Sequence, residues 1–169
     1  MRAYLPQLDR AVPLRVVAIS GEADIALVTG AIPMDRRPLT LAAPERRIVT
    51  GETVAVLGYP TGFDALLAKT GEAVARTLVE HAGRDVLRLA NGLATRRLIT
   101  PLVTMGHVGD VVGQNIVYDA ATTHGGSGGP VLDADGQVIA INYARLESFS
   151  GAQFGIPIRF VRTLLGERP

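Results

Sequence analysis

Short runs of β-branched and aliphatic residues, each closed within a few positions by Gly, Pro or Asp, recur towards both ends of this chain. They are Leu14 to Ile19 "LRVVAI", Ile25 to Thr29 "IALVT", Thr53 to Gly58 "TVAVLG", Asn115 to Tyr118 "NIVY" and Val138 to Asn142 "VIAIN". That length, residue type and punctuation describe strands separated by turns. The clearest hairpin is "VLDADGQVIAIN", where the Asp135-Gly136 pair places a residue free to take positive φ between two apolar runs. An all-β body is expected.

The middle of the chain breaks this pattern. From Phe63 to about Leu98 apolar residues recur at helical spacing: Phe63, Leu66 and Leu67, then Val74 and Leu78, then Val86, Leu89, Ala90 and Leu93. Good helix formers fill the gaps. Gly71, Gly83 and Gly92 are expected to divide the stretch into two or three short helices, and Pro101 to mark the return to extended chain. The prediction is thus a helical insertion at about residues 63–100, with a terminal helix over "IRFVRTLLGERP" closed by Gly166 and Pro169.

Bulk properties exclude more than they suggest. At 169 residues, 47% hydrophobic and 20% charged, the chain has ordinary globular composition and room for a core. Its 17 basic and 16 acidic residues are spread along the chain, so no basic stripe points to nucleic acid. The lack of cysteine excludes a disulfide scaffold, a thiolate zinc site and a cysteine nucleophile, and leaves the compartment open. No apolar run reaches the roughly 18 residues needed to span a bilayer, and "MRAYLPQLDR" lacks the apolar middle of a signal peptide. No His, Asp and Glu cluster has ligand spacing, so neither a metal nor an organic cofactor is implied.

Chemistry concentrates in "DAATTHGGSGGPV", residues 119–131, where Ser127 stands between two glycine pairs. A Gly/Ser linker belongs in a polar, flexible stretch, but this one lies between "NIVY" and "PVLDADGQVIAIN", inside the fold. Glycines there permit unusual backbone conformations and let a substrate approach closely. A tight glycine turn can also aim backbone N–H groups at a carbonyl oxygen gaining negative charge, which makes Gly125 and Ser127 the natural donors. The run also fits G-x-S-x-G, but that nucleophile elbow needs a following helix and a later histidine. Here Pro130 and a hairpin follow, and no histidine comes after Ser127. A phosphate loop fails for want of its lysine.

Gly125-Gly126-Ser127-Gly128-Gly129-Pro130 resembles the Gly-[Asp/Asn]-Ser-Gly-Gly-Pro motif of the trypsin-like serine proteases, nearest the bacterial HtrA-like peptidases. Asp119-Ala120 occupies the matching place upstream. "GQVIAINYA" is similar to the strand after the nucleophile hairpin, and "GAQFGIPIRFV" to the segment leading into the terminal helix. "GEADIALVTG" resembles the strand carrying the catalytic acid, "TVAVLGYPTG" the junction between the family's two β-barrels, and "TMGHVGDV" the opening strand of the second.

The resemblance implies an all-β, double β-barrel fold with an incomplete first barrel. Residues 1–60 would be the C-terminal part of that barrel, residues 61–100 the helical insertion and residues 101–169 the second barrel. It implies a serine endopeptidase acting on polypeptide, with Ser127 as nucleophile, Asp24 as acid, and Gly125 and Ser127 N–H groups as the oxyanion hole. Ala121, Asn142, Tyr143 and Ala144 would line the substrate site. With no acidic residue at Ala121, a small or medium apolar side chain is expected there. Relatives are often periplasmic, secreted or membrane-attached.

Two departures qualify this picture. In the order His, Asp, Ser the histidine precedes the acid, yet residues 1–23 contain none, and His81, His107 and His124 all follow Asp24. The chain therefore reads as a truncated or internally started version of a longer protease, with the general base supplied upstream and little activity of its own. Regulation through the PDZ domain common in the HtrA group is not expected from this chain. An inactive, protease-like module that binds extended peptides is the alternative. The second departure is Gly126, which replaces an Asp or Asn that helps fix the loop, so ordering by substrate or partner is expected.

Overall fold

The structure, a computed structural model, describes residues 1–6, 8–33, 37–59, 61–145 and 152–167. Three strands open it: β1 (Arg2–Ala3), β2 (Val12–Ile19) and β3 (Ala26–Gly30), forming one antiparallel sheet in the order β1-β2-β3. The β2–β3 hairpin turns through residues 20–25, where Ser20 Oγ accepts the N–H groups of Glu22 (3.2 Å) and Ala23 (3.1 Å). Ser20 N–H donates to the Ile25 carbonyl at 3.0 Å, so Asp24 is delivered at the mouth of β3.

A closed six-stranded barrel follows, formed by β4 (Thr53–Gly58), β5 (Leu102–Val112), β6 (Asn115–Tyr118), β7 (Pro130–Leu132), β8 (Val138–Arg145) and β9 (Gln153–Pro157). Its order is β4-β5-β6-β9-β8-β7, closing through β4 and β7. Two-residue periodicity makes the interior: Val54 and Val56 from β4, Ile116 and Tyr118 from β6, and Val131 from β7 all point inward and are buried. Each such side chain contributes about 1.5–3 kcal/mol by leaving water. Successive residues Val138, Ile139 and Ala140 of β8 are all buried, because Leu41 and Ala42 lie along that strand from outside. The final helix α4 (Ile158–Leu164) clamps that segment, Arg162 donating from Nε (3.0 Å) and Nη2 (2.9 Å) to the Ala42 carbonyl.

The 133–137 turn matches its sequence signature. Gly136 takes φ +75°, and Asp133 Oδ1 accepts from the N–H groups of Asp135 (3.1 Å) and Gln137 (2.9 Å). Arg46 joins this corner, pairing with Glu52 at 2.8 Å and with the buried Asp133 at 3.5 Å.

The helices are α1 (Phe63–Ala68), α2 (Glu72–Ala82) and α3 (Val86–Thr95). Gly71 and Gly83 flank α2 at positive φ, and Asp85 caps α3 by accepting from Leu87 and Arg88 N–H. Leu66, Leu78, Leu93, Ala94 and Ile99 form a second, separate core.

Two expectations are corrected here. Gly92 does not end a helix: it lies inside α3, where a Cβ would stand 2.8 Å from Leu78 Cδ2, so it serves the close approach of α2 and α3. The strand "TVAVLG" is not a junction between barrels; β4 is the barrel's own first strand, paired with β5 from Thr53↔His107 to Gly58↔Leu102. The helices therefore interrupt the barrel between its first two strands, and the boundary between the two β units precedes Thr53.

Candidate active site

Residues 119–129 leave β6 and return to the barrel at Pro130, held at both ends. On entry, Asp119 Oδ1 accepts the His107 N–H at 2.6 Å, while Asp119 N–H donates to the His107 carbonyl at 3.2 Å. On exit, Gly128 N–H donates to the Asn142 carbonyl at 2.7 Å and Asn142 N–H to the Gly129 carbonyl at 2.9 Å. Ser127, exposed at the crest between these ties, donates from Oγ to the Tyr143 carbonyl at 3.1 Å.

The strand beneath is fixed by a buried polar pair. Tyr118 Oη donates to Asn142 Oδ1 at 2.6 Å, with both side chains at most 2% exposed. Burial pushes the Tyr118 phenol well above the ordinary tyrosine range, so it remains a donor at neutral pH. Asn142 thus links the barrel interior to the Gly128 and Gly129 peptide groups that follow Ser127.

Gly126 is buried, and its surroundings explain why it carries no side chain. A Cβ there would stand 2.0 Å from Thr122 Oγ1, 3.1 Å from the Thr123 carbonyl and 3.3 Å from Asn142 Nδ2. Thr122 occupies the space that a residue before the serine would fill. The loop is also internally bonded, Gly126 N–H to Thr123 O at 2.9 Å and Gly129 N–H to Gly126 O at 3.1 Å. Order in this loop therefore has sources within the chain, in addition to any substrate or partner. Among the described residues, no protein acceptor takes the N–H groups of Gly125 and Ser127.

Asp24 and Ser127 open onto one cavity of about 330 Å³. Its walls are Ile25 to Leu27 from the β2–β3 hairpin and β3, Ile141 to Tyr143 from β8, and Val161 and Leu164 from α4. Asn142 and Tyr143 belong to this lining; the exposed Ala121 does not. Ala144 continues β8 opposite Phe154, its side chain lying outside the described residues. The three histidines stand elsewhere: His81 on α2 with Nδ1 2.9 Å from the Thr77 carbonyl, His107 on β5, and His124 exposed in the loop with its carbonyl turned to Thr61 N–H at 2.7 Å. None of them lines the cavity. Tyr118, Thr122 and the apolar walls from α4 went unnoticed in the sequence, because their parts are defined by contacts across the fold.

The family model for the trypsin-like peptidase domain matches residues 6–141. The chain belongs to this family. It is similar to "Protease Do-like 1, chloroplastic" of Arabidopsis thaliana, 31% identical over 148 residues, covering 85% of this chain and 28% of that protein. It is also similar to "Serine protease Do-like HtrA" of Bacillus subtilis, 30% identical over 120 residues, covering 70% and 22%. The crystal structure of the serine endoprotease from Yersinia pestis superposes with a TM-score of 0.61 at 19% identity, covering 93% of this chain and 44% of that one. The fold is the all-β, trypsin-like one, and the chain is an HtrA-related member that spans less than a third of these two curated relatives' length.

Proposed function

We propose that this chain carries the nucleophile and acid of a serine endopeptidase acting on polypeptide, and that the general-base histidine comes from outside these 169 residues. The observation that carries the reading is the shared cavity, with Ser127 and Asp24 on its lining and all three histidines elsewhere. Ser127 Oγ would attack the scissile carbonyl while the histidine removes its proton; the same proton would then go to the leaving amine, and water would release the acyl group. The N–H groups of Gly125 and Ser127 would stabilise the oxyanion. Asp24 would orient the imidazole and stabilise its protonated form.

Substrate would bind as an added strand. The pairing of β8 with β7 ends at Ile141↔Pro130, and among the described residues no strand pairs with Tyr143 onward on that edge. Main-chain hydrogen bonds to Tyr143 and Ala144 would hold an extended peptide, with Ala121 and Asn142 shaping a site for a small or medium apolar side chain.

A second reading, a protease-like module that binds extended peptides without cleaving them, is favoured by the Ser127 hydroxyl being bonded to the Tyr143 carbonyl rather than to a base. Incubation of the pure 169-residue chain with unfolded casein tests the external base. No turnover above background is expected; proteolysis abolished by Ser127→Ala would contradict it.

A further inference from the structure

We propose that the notch between α2 and α3 binds a phosphoryl group through Arg96, Arg88 and His81. The two helices enclose a cavity of about 120 Å³ that shares no lining residue with the Ser127 cavity. Thr77 and His81 stand four residues apart on α2, and Arg88, Gly92 and Arg96 follow the same spacing along α3 and its C-cap, so each set shares one helix face. Gly92 makes the room. A Cβ there would strike Leu78 Cδ2 at 2.8 Å, whereas glycine lets the helices close and puts its own backbone on the cavity lining, beside the buried Leu78 and Ala82. That lining holds two arginines and a histidine, and no carboxylate.

The cationic groups are held in place by the helices themselves. Arg96 folds back over Gly92, its Nη1 donating to the Gly92 carbonyl at 3.3 Å, and among the described residues no carboxylate pairs with it. Arg88 is steadied at Nε by Asp85 Oδ2 at 3.3 Å, which leaves its Nη1 and Nη2 edge for a ligand. Asp85 is itself engaged, since its Oδ1 caps α3. His81 Nδ1 lies 2.9 Å from the Thr77 carbonyl; a carbonyl only accepts, so Nδ1 carries the proton and Nε2 is left to meet a ligand. Guanidinium forks match phosphoryl oxygens two at a time, and the apolar side chains of Leu78 and Ala82 keep water from one side, which strengthens the attraction. The volume suits a single phosphoryl group rather than a polyanion. Two arginines and an imidazole suit its three oxygens and near-double charge better than they suit a carboxylate.

The test is a 15N NMR titration of the 169-residue chain with inorganic phosphate and, separately, with O-phosphoserine, at constant ionic strength set by chloride. Saturable shifts in the millimolar range are expected at the amides of His81, Arg88, Gly92 and Arg96. Arg96→Gln removes one fork and should weaken binding at least about tenfold. Arg76→Gln, which changes an exposed α2 arginine paired with Glu72 outside the cavity, should leave it unchanged. Circular dichroism checks that both variants keep their helices. Saturation by inorganic phosphate alone assigns the site to the free ion, and saturation by both probes assigns it to the phosphoryl group of a larger ligand; either result supports the proposal. Saturation by neither probe, equal shifts with acetate, or equal loss in Arg96→Gln and Arg76→Gln would overturn it, the last two because they report diffuse positive charge rather than a site.

Discussion

Gly126→Ala places a methyl group 2.0 Å from Thr122 Oγ1, well inside van der Waals contact, at a buried position hemmed in by the Thr123 carbonyl and Asn142 Nδ2. Gly126 is not among the glycines at positive φ, so the penalty comes from crowding rather than from backbone conformation. Overpacking of this kind costs about 1–3 kcal/mol. For a chain of this size each kcal/mol lowers Tm by about 2–4 °C, giving a fall of roughly 2–12 °C by the same conversion. Because the crowding atom is Thr122 Oγ1, Thr122→Ala should relieve most of it. A double-mutant cycle by urea denaturation is then expected to show a coupling energy of about 1 kcal/mol or more, with the double variant more stable than Gly126→Ala alone. Additive losses would refute the claim that Thr122 fills the side-chain space before Ser127.

Other consequences can be checked separately. Tyr118→Phe leaves Asn142 Oδ1 buried without its 2.6 Å donor and is expected to cost about 1–3 kcal/mol in urea denaturation. Because burial raises the Tyr118 pKa above its unfolded value, the neutral phenol contributes stability that is fully present below about pH 10 and is lost as pH rises beyond it. Alkaline denaturation of the chain should thus be later in Tyr118→Phe relative to its own neutral-pH stability. Glu52 is held below its ordinary pKa, first by the Arg46 hydrogen bond, so its contribution is present above about pH 4.3 and fades as pH falls through the depressed value. As a partly exposed pair it is worth at most about 1 kcal/mol, and Glu52→Gln should destabilise at pH 7 but not at pH 2. Asp85→Ala removes the α3 cap and should cost about 1 kcal/mol, read as a lower Tm.

Strands and helices were legible in the sequence because local pattern determines them. The alternation in "TVAVLG" and "NIVY", and the 3.6-residue spacing from Phe63 onward, each report one buried face. Which strands share a barrel is a different kind of fact. Nothing local to residues 53–58 says that they pair with residues 102–107 across 43 intervening positions, so the junction expected at β4 is a barrel strand instead. Gly92 failed for a similar reason: a glycine that breaks a helix and one that admits a neighbouring Leu78 look alike until the second helix is in place. At the site, Ser127 and Asp24 were singled out from short motifs. Thr122 acts through space alone, by filling the room beside Gly126, and no local pattern marks a residue for that part.

The central claim is that Ser127 is a nucleophile whose base lies outside these residues. Fluorophosphonate labelling of Ser127 tests it directly, by comparing this chain with a longer product of the same reading frame that carries a Thr-x-x-His strand upstream. Loss of a triad member from a serine protease costs several powers of ten, so the longer product should label at least about a thousandfold faster, with Ser127→Ala and Asp24→Asn suppressing the difference. Equal labelling of the two, or none of Ser127 in the longer product, would contradict the account.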